Sequence, residues 1–320
     1  MGEEEKFAFN FPTSRGDHSE PDNENNPYVE ELDERAEEED EEEVEYIEYD
    51  PAQELQNKRP DKVPSFEEVE IVQGVSLRKG RVSGGEIAEL LNDERASTND
   101  LIPGVYEGGF KLWEGAVDLC KQLCEIFKLD AEKLKAGETT GDLEGKKVLE
   151  LGCGHGLPGI LCLLAGADVH FQDFNPEVLR QLTMPNVSEN LSRMTMGRRR
   201  GSTRFFSGDW AHLGELLSSK GLGGHYDIIL TSESIYNQEA QWRLLECIKQ
   251  VLQPPHAVVY LAAKSYYFGV GGGLKTFRKV VKEDGIFEVK TLSKIQDAAS
   301  GNVREVLELR FPESIAPYFL

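Results

Sequence analysis

From Lys147 onward, short apolar runs alternate with helical patterns, and this alternation restricts the fold more than any other feature of the chain. Residues 147–151 (KVLEL), 168–174 (DVHFQDF), 203–206, 226–231 (YDIILT) and 257–262 (AVVYLA) read as strands. Between them lie helical patterns over about 157–166, 176–191, 211–219 and 238–252, with Pro176 at a helix start. A further helix over 274–282 precedes two strands, 287–292 and 303–311, that have no helix between them. Strands joined through helices imply right-handed crossovers and a parallel sheet covered on both faces, an α/β Rossmann-like architecture. The final pair implies an antiparallel last strand, whereas a dinucleotide-binding domain normally continues with parallel units.

The residues before this core are of two kinds. Residues 1–70 hold 26 Asp and Glu against six Lys and Arg, while the other 250 carry 32 acids and 29 bases. The first stretch, with EEEDEEE at 37–43, cannot bury enough apolar surface to offset its ordering entropy. We expect a disordered acidic tail over 1–65, either a solvated segment or an electrostatic lure for a basic protein. Residues 66–100 are weakly periodic and read as a lead-in with a short helix. The folded domain spans 101–320, opening with a helical pattern through Leu112, Ala116, Leu119, Cys120, Leu123 and Phe127. Five cysteines without a secretory apolar segment point to a reducing compartment, with the thiols as core filler. No apolar run approaches the ~20 residues that span a bilayer, so no membrane partner is expected.

Where the first core strand becomes a helix, the chain reads Glu150-Leu-Gly152-Cys-Gly154-His-Gly156. Glycines there permit a sharp turn and close approach of the backbone to a ligand. Gly154, Gly156 and Gly159 also satisfy the dinucleotide spacing, so the loop alone does not choose the ligand. The acids at the strand ends do. Asp173 suits ribose hydroxyls, Glu150 suits a cationic ligand end and repels a diphosphate, and Asp209 accepts from an adenine amino group. Together they favour S-adenosylmethionine over NAD. The competing reading makes all three ordinary strand-end caps. His155 and His170 lack partners at metal-ligand spacing, and no metal is expected.

Six motifs in a single register then carry a resemblance. GVYEGGFKLWEG at 104–115, the loop 150–156, HFQDFN at 170–175, FFSGDW at 205–210, TSESIYN at 231–237 and AKSYYFGVGGG at 263–273 closely resemble the eukaryotic histidine protein methyltransferase family. The likeness covers about 101–311. It implies a seven-stranded methyltransferase sheet of order 3-2-1-4-5-7-6. It further implies methylation of the tele nitrogen of one histidine in the third protein of the large ribosomal subunit, with a role in ribosome biogenesis and translation, in cytoplasm and nucleus, including the nucleolus. By the same likeness Lys111, Leu112, Trp113, Glu114, Gly115, Gly152, Gln172, Asp173, Phe174, Gly208, Asp209, Trp210 and Ser232 line the cofactor site. A monomer is expected.

Methyl transfer to an imidazole needs little base. The acceptor's unperturbed pKa is near ~6.5, so most of it is neutral at pH 7, whereas a lysine starts about 3.4 units too high. Tautomer control matters more: the tele nitrogen attacks only if the other ring nitrogen holds the proton. Glu233, Tyr236 and Asn237, after the fourth core strand, are the catalytic candidates. Glu233 or Asn237 would accept that N–H, and Tyr236 would wall the methyl channel. Glu233 reads alternatively as a helix N-cap, and an acid-x-x-aromatic motif also resembles lysine methyltransferases. Trp113 and Trp210 are candidates for the sulfonium or adenine faces, or else core aromatics. The loop after the fifth strand, Tyr266, Tyr267 and Phe268 before three glycines, reads as a substrate contact, Tyr267 above all. Arg193, Arg198, Arg199, Arg200 and Arg204 read as a nuclear import signal, a contact to pre-ribosomal RNA, or a solvated loop. A lysine methyltransferase, a non-catalytic escort of a basic ribosomal protein and an NAD-dependent oxidoreductase stand as competing functions.

Overall fold

The computed structural model describes residues 46–47, 64–194, 201–296 and 302–314. Nearly all of the expected acidic tail lies outside them, as do Arg198, Arg199 and Arg200. The described strands are β1 (Tyr46–Ile47), β2 (Ser65–Val72), β3 (Val75–Arg81), β4 (Lys147–Leu151), β5 (Asp168–Asp173), β6 (Thr203–Ser207), β7 (Ile228–Ser232), β8 (Val258–Lys264), β9 (Glu288–Gln296) and β10 (Val303–Arg310). The main sheet runs β1-β6-β5-β4-β7-β8-β10-β9. β6, β5, β4, β7 and β8 pair in parallel, whereas β10 lies antiparallel between β8 and β9. Counted from β4, the seven core strands follow the order 3-2-1-4-5-7-6, with a two-residue strand added antiparallel to the β6 edge.

The central strands are buried on both faces, and apolar residues from each strand point to both sides of the sheet. On one face Val148, Val169, Ile228, Val258 and Val306 pack beneath α2 (Glu114–Ile126), α4 (Leu157–Leu164) and α6 (Met184–Ser192), which contribute Leu119, Ile160 and Val187. On the other, Leu149, Leu151, Ile229, Val259, Leu261 and Leu307 meet Leu213 of α7 (Trp210–Ser219), Leu244 of α8 (Gln238–Val251) and Phe277 of α9 (Leu274–Asp284). The strand period of two therefore feeds two cores from one sheet.

The lead-in segment is more structured than its sequence suggests. β2 and β3 form an antiparallel hairpin, and α1 (Gly84–Leu91) follows, closed by a capping box between Ser83 and Glu86. The acids of β2 obscure its alternation: Glu68 and Glu70 are exposed and Glu67 pairs with Lys79 and Arg81, while Ile71 and Leu77 enter the core. The outer edge of β3 is held by side-chain amides of α6 in place of a strand. Asn190 accepts from Arg78 N at 2.8 Å and donates to Arg78 O at 2.8 Å, and Asn186 accepts from Gly80 N at 2.6 Å.

The helix expected over 176–191 is interrupted. Between α5 (Pro176–Val178) and α6 the turn Leu179–Thr183 widens to a π-helix. Pro185 in the first turn of α6 lacks an N–H and crowds the preceding turn, which accounts for the irregularity. Between α2 and β4 lie a short helix, α3 (Ala131–Ala136), and a 3₁₀ turn (Gly141–Leu143).

Candidate active site

The carboxyl ends of β4, β5, β6 and β7 lie side by side, which is where an open parallel sheet offers a crevice. A strap over 102–113 crosses these ends. It is folded by a bridge between Ile102 and Tyr106 and tied by Phe110 N to the Tyr106 hydroxyl at 3.1 Å. His155 is buried, with its pKa pushed down to about 3 by desolvation. The neutral ring donates Nε2–H to the Phe110 carbonyl at 3.1 Å, which anchors the strap to the glycine loop.

The three glycines of that loop all have left-handed φ, at 60°, 49° and 70° for Gly152, Gly154 and Gly156. Their surroundings differ. A Cβ on Gly154 would stand 2.9 Å from the Gly109 carbonyl of the strap, and one on Gly156 would stand 3.0 Å from Thr183 of the π turn. Those two glycines are needed for packing within the protein. Gly152 is half-exposed, and a Cβ there would find only Trp210 at 3.6 Å and Ser234 at 3.9 Å. Its backbone is the part of the loop that a ligand can approach.

Gln172 organises the surroundings of Gly152. Its Oε1 accepts from Gly152 N at 3.1 Å and from Trp210 Nε1 at 2.9 Å, while Nε2 donates to Gly208 O at 2.8 Å. One amide thus sets the ends of β4, β5 and β6. Asp173, the next residue, accepts from Gly154 N at 2.8 Å and from Asn175 N at 3.2 Å. Desolvation pushes its pKa up to about 6 against those bonds and one from the Phe174 backbone, which leaves about one of its four lone-pair sites for a further donor. Half-exposed Phe174 and Gly208 are linked by Gly208 N to Phe174 O at 3.2 Å, and half-exposed Ser232 ends β7.

Two of the three strand-end carboxylates act differently from the sequence reading. Glu150 is 1% exposed, on the same strand face as Val148, and Oε2 accepts from Gly159 N at 2.8 Å. Burial raises its pKa to about 8, so the group is largely neutral at pH 7 and turned into the core. The electrostatic case for Glu150 beside a cationic ligand is thereby removed. Asp209 caps α7, its Oδ1 accepting from Ala211 N at 2.8 Å, and its Oδ2 pairs with Arg243 at 2.9 Å. This carboxylate is the strand-end cap of the competing reading.

The catalytic candidates are also redistributed. Glu233 has a φ of 57°, strained for a side chain with a Cβ, and is held by Glu233 N to Ala262 O at 2.9 Å. Its Oε1 accepts from Gly115 N at 3.1 Å, and Oε2 accepts from the Tyr267 hydroxyl. Burial raises its pKa. Glu233 is therefore no N-cap of α8. Asn237 fills that position, accepting from Glu239 N at 2.9 Å, so its amide oxygen is committed to the helix. Tyr267 is buried behind Glu233 and makes no surface for a peptide, whereas Tyr266 and Phe268 are exposed. Tyr236 is half-exposed and donates its hydroxyl to Glu107 of the strap.

Residues 111–115 run into the start of α2. Lys111 pairs with Asp100, Leu112 packs on the core, and exposed Glu114 lies 3.4 Å from Lys264 Nζ. Trp113 donates Nε1–H to Gly108 O at 3.1 Å, and the ammonium groups of Lys111 and Lys264 lie 4.5 and 5.5 Å from its ring centre. The ring thus already has cation partners from the protein. Glu107 and Asn175 escaped the sequence reading, because their partners lie 129 and 68 residues away.

This crevice fits S-adenosylmethionine. Gly152 leaves backbone bare between Trp210 and Ser234, and Asp173 at the β5 end keeps acceptor capacity for ribose hydroxyls.

The family described as lysine methyltransferase matches residues 104–269. A histidine protein methyltransferase 1 homologue of Dictyostelium discoideum is 46% identical over 210 residues, which cover 66% of this chain and 60% of that protein. One from Bos taurus is 38% identical over 277 residues, covering 80% of this chain and 69% of the relative. A protein N-lysine methyltransferase of Danio rerio is 33% identical over 156 residues, covering 49% of this chain and 61% of that one. The chain thus spans about three fifths of the Dictyostelium relative's length. The chain belongs to the histidine protein methyltransferase family.

Proposed function

We propose that the protein is an S-adenosylmethionine-dependent protein-histidine methyltransferase. It acts at the tele nitrogen of one histidine in the third large-subunit ribosomal protein, with a role in ribosome biogenesis and translation. The observation that carries this reading is the 46% identity to a histidine protein methyltransferase 1 homologue over 210 residues, 66% of this chain. Physical chemistry supports it. Of the strand-end carboxylates, Glu150 and Glu233 are buried with their oxygens bonded to Gly159 N, Gly115 N and the Tyr267 hydroxyl, and Asp209 is ion-paired with Arg243, so these three are engaged within the protein. A neutral imidazole needs none of them as a base.

In this reading Gly152, Gln172, Asp173, Phe174, Gly208, Trp210 and Ser232 hold the cofactor, with residues 111–115 positioned above them. Bound there, the cofactor supplies an electrophilic methyl group, and the protein contributes alignment and exclusion of water. Tyr266 and Phe268, 47% and 68% exposed beside the β8 end, are the substrate-facing aromatics. Arg193 and Arg204 are the described members of the arginine group proposed to meet pre-ribosomal RNA or an import receptor. The protein works in cytoplasm and nucleus, as a monomer.

A lysine methyltransferase is the second reading, favoured by the family description and by the Danio rerio relative. Radiolabelled methyl transfer into an extract lacking this enzyme separates the two. Acid hydrolysis of the labelled band yields tele-methylhistidine in the first case and methyllysine in the second. An escort without activity yields no label.

A further inference from the structure

The histidine reading requires an acceptor for the N–H of the non-reacting ring nitrogen, and the two residues the sequence offers are otherwise engaged. Glu233 is 6% exposed and faces the first turn of α2; a Cβ on Gly115 would come within 2.5 Å of its Oε1. Asn237 caps α8 through its side chain, and its backbone bridges to Gly271. Neither presents an acceptor to the crevice.

Glu107 does. Its backbone N–H donates to Asn175 Oδ1 at 3.2 Å, beside the β5 end, while its Oε2 accepts from the Tyr236 hydroxyl beyond the β7 end. The side chain therefore crosses from the ribose side of the crevice to the acceptor side. Oε1 accepts from Gly104 N at 2.9 Å, which fixes the carboxylate plane. Two of about four lone-pair sites are used, and the residue is half-exposed. The charged groups around it are Asp173, Asp209 and Arg243; burial, with the two acids, raises its pKa, and the Gly104 N–H and Arg243 counter only part of that.

Resting on the histidine reading, we propose that Glu107 is a catalytic residue that accepts the non-reacting N–H of the acceptor imidazole, with Tyr236 orienting it. This contact fixes the tautomer whose tele nitrogen carries the lone pair. A bond forms between that nitrogen and the methyl carbon as the bond from that carbon to sulfur breaks. The positive charge passes from sulfur to the ring, where Glu107 stabilises it. The ring then gives its remaining proton to the carboxylate and on to water. A lysine acceptor has no second nitrogen for such a contact.

The test compares wild type, Glu107→Ala, Glu107→Gln and Tyr236→Phe on unmethylated ribosomal protein purified from cells lacking the enzyme. Wild-type product is identified by amino-acid analysis, cofactor affinity by calorimetry and folding by thermal denaturation. We expect kcat to fall about a hundredfold in Glu107→Ala and about tenfold in Glu107→Gln, whose amide oxygen still accepts an N–H. S-adenosylmethionine affinity should stay within about twofold in both variants. A kcat within twofold of wild type in Glu107→Ala overturns the proposal, as does a cofactor affinity that falls in step with kcat, which would make Glu107 a cofactor ligand. If Glu107→Ala fails to fold, the Glu107→Gln and Tyr236→Phe values decide in the same way. Methyllysine in the wild-type product overturns the histidine reading itself, and this assignment with it.

Discussion

The carboxylate of Glu233 accepts the backbone N–H of Gly115 at 3.1 Å, so a residue following β7 caps the first turn of a helix 118 positions earlier. Trp113 occupies the N-cap of α2 and has no side-chain oxygen to offer, which leaves the helix's first N–H groups in need of a distant acceptor. The strained φ of Glu233 is the cost of delivering that oxygen. The contact fixes the segment 111–115 to the sheet.

Glu233→Ala should therefore lower stability by about 2 kcal/mol, through the lost cap and the unpaired Tyr267 hydroxyl. Urea denaturation measures this directly. Glu233→Gln, which keeps an acceptor oxygen, should lose less than half as much. Equal losses in the two variants would show that the charge matters and the cap does not.

Glu150 predicts a dependence of stability on pH. Its folded pKa of about 8 lies above the ordinary value of 4.5 because the carboxyl is buried. The folded state then binds the extra proton, so the group's contribution is complete below pH ~4.5 and is lost as pH rises towards 8. Wild type should lose a few kcal/mol (roughly 1.4 per pKa unit) across this window, and Glu150→Gln should not. The two proteins should differ in urea midpoint at pH 8.5 far more than they do at pH 5.

Asn186 joins the hairpin to the glycine loop, accepting from Gly80 N and donating to His155 O at 3.0 Å. Asn186→Ala leaves both buried backbone groups unpaired, at about 1–3 kcal/mol each at most. Hydrogen exchange at the Gly80 amide should accelerate selectively, with the amides of β7 and β8 unchanged. Uniform acceleration would mean that the hairpin unfolds only with the whole domain.

Gln172 ties together Gly152 N, Trp210 Nε1 and Gly208 O. Gln172→Ala should weaken S-adenosylmethionine binding by about tenfold, or ~1.4 kcal/mol, as measured by calorimetry. Trp210→Phe removes only one of these bonds and should cost less.

The sheet was legible because β4, β7 and β8 carry apolar runs, β5 alternates around Val169 and Phe171, and helical patterns separate them. The β2–β3 hairpin was not, because its acids at Glu67, Glu68 and Glu70 continue the charge of the preceding segment while Val69 and Ile71 turn inward. Local capping signals are present at Asp209 and Asn237, each directly before a helix; the cap stands among the readings of Asp209 but not of Asn237, which is read as a catalytic candidate. The contacts of Glu233 and Glu107 could not be read. Their partners come from the other end of the fold, and no spacing in the chain records a contact between Gly115 and Glu233 or between Glu107 and Tyr236.

The crevice over Gly152 and Asp173 is the centre of this account, and titration of the purified protein with S-adenosylmethionine tests it most directly. We expect binding at one site per chain, weakened at least tenfold in Asp173→Ala, and no heat with NADH. Binding of NADH in preference to the sulfonium compound, or an Asp173→Ala variant that binds as tightly as wild type, would contradict it.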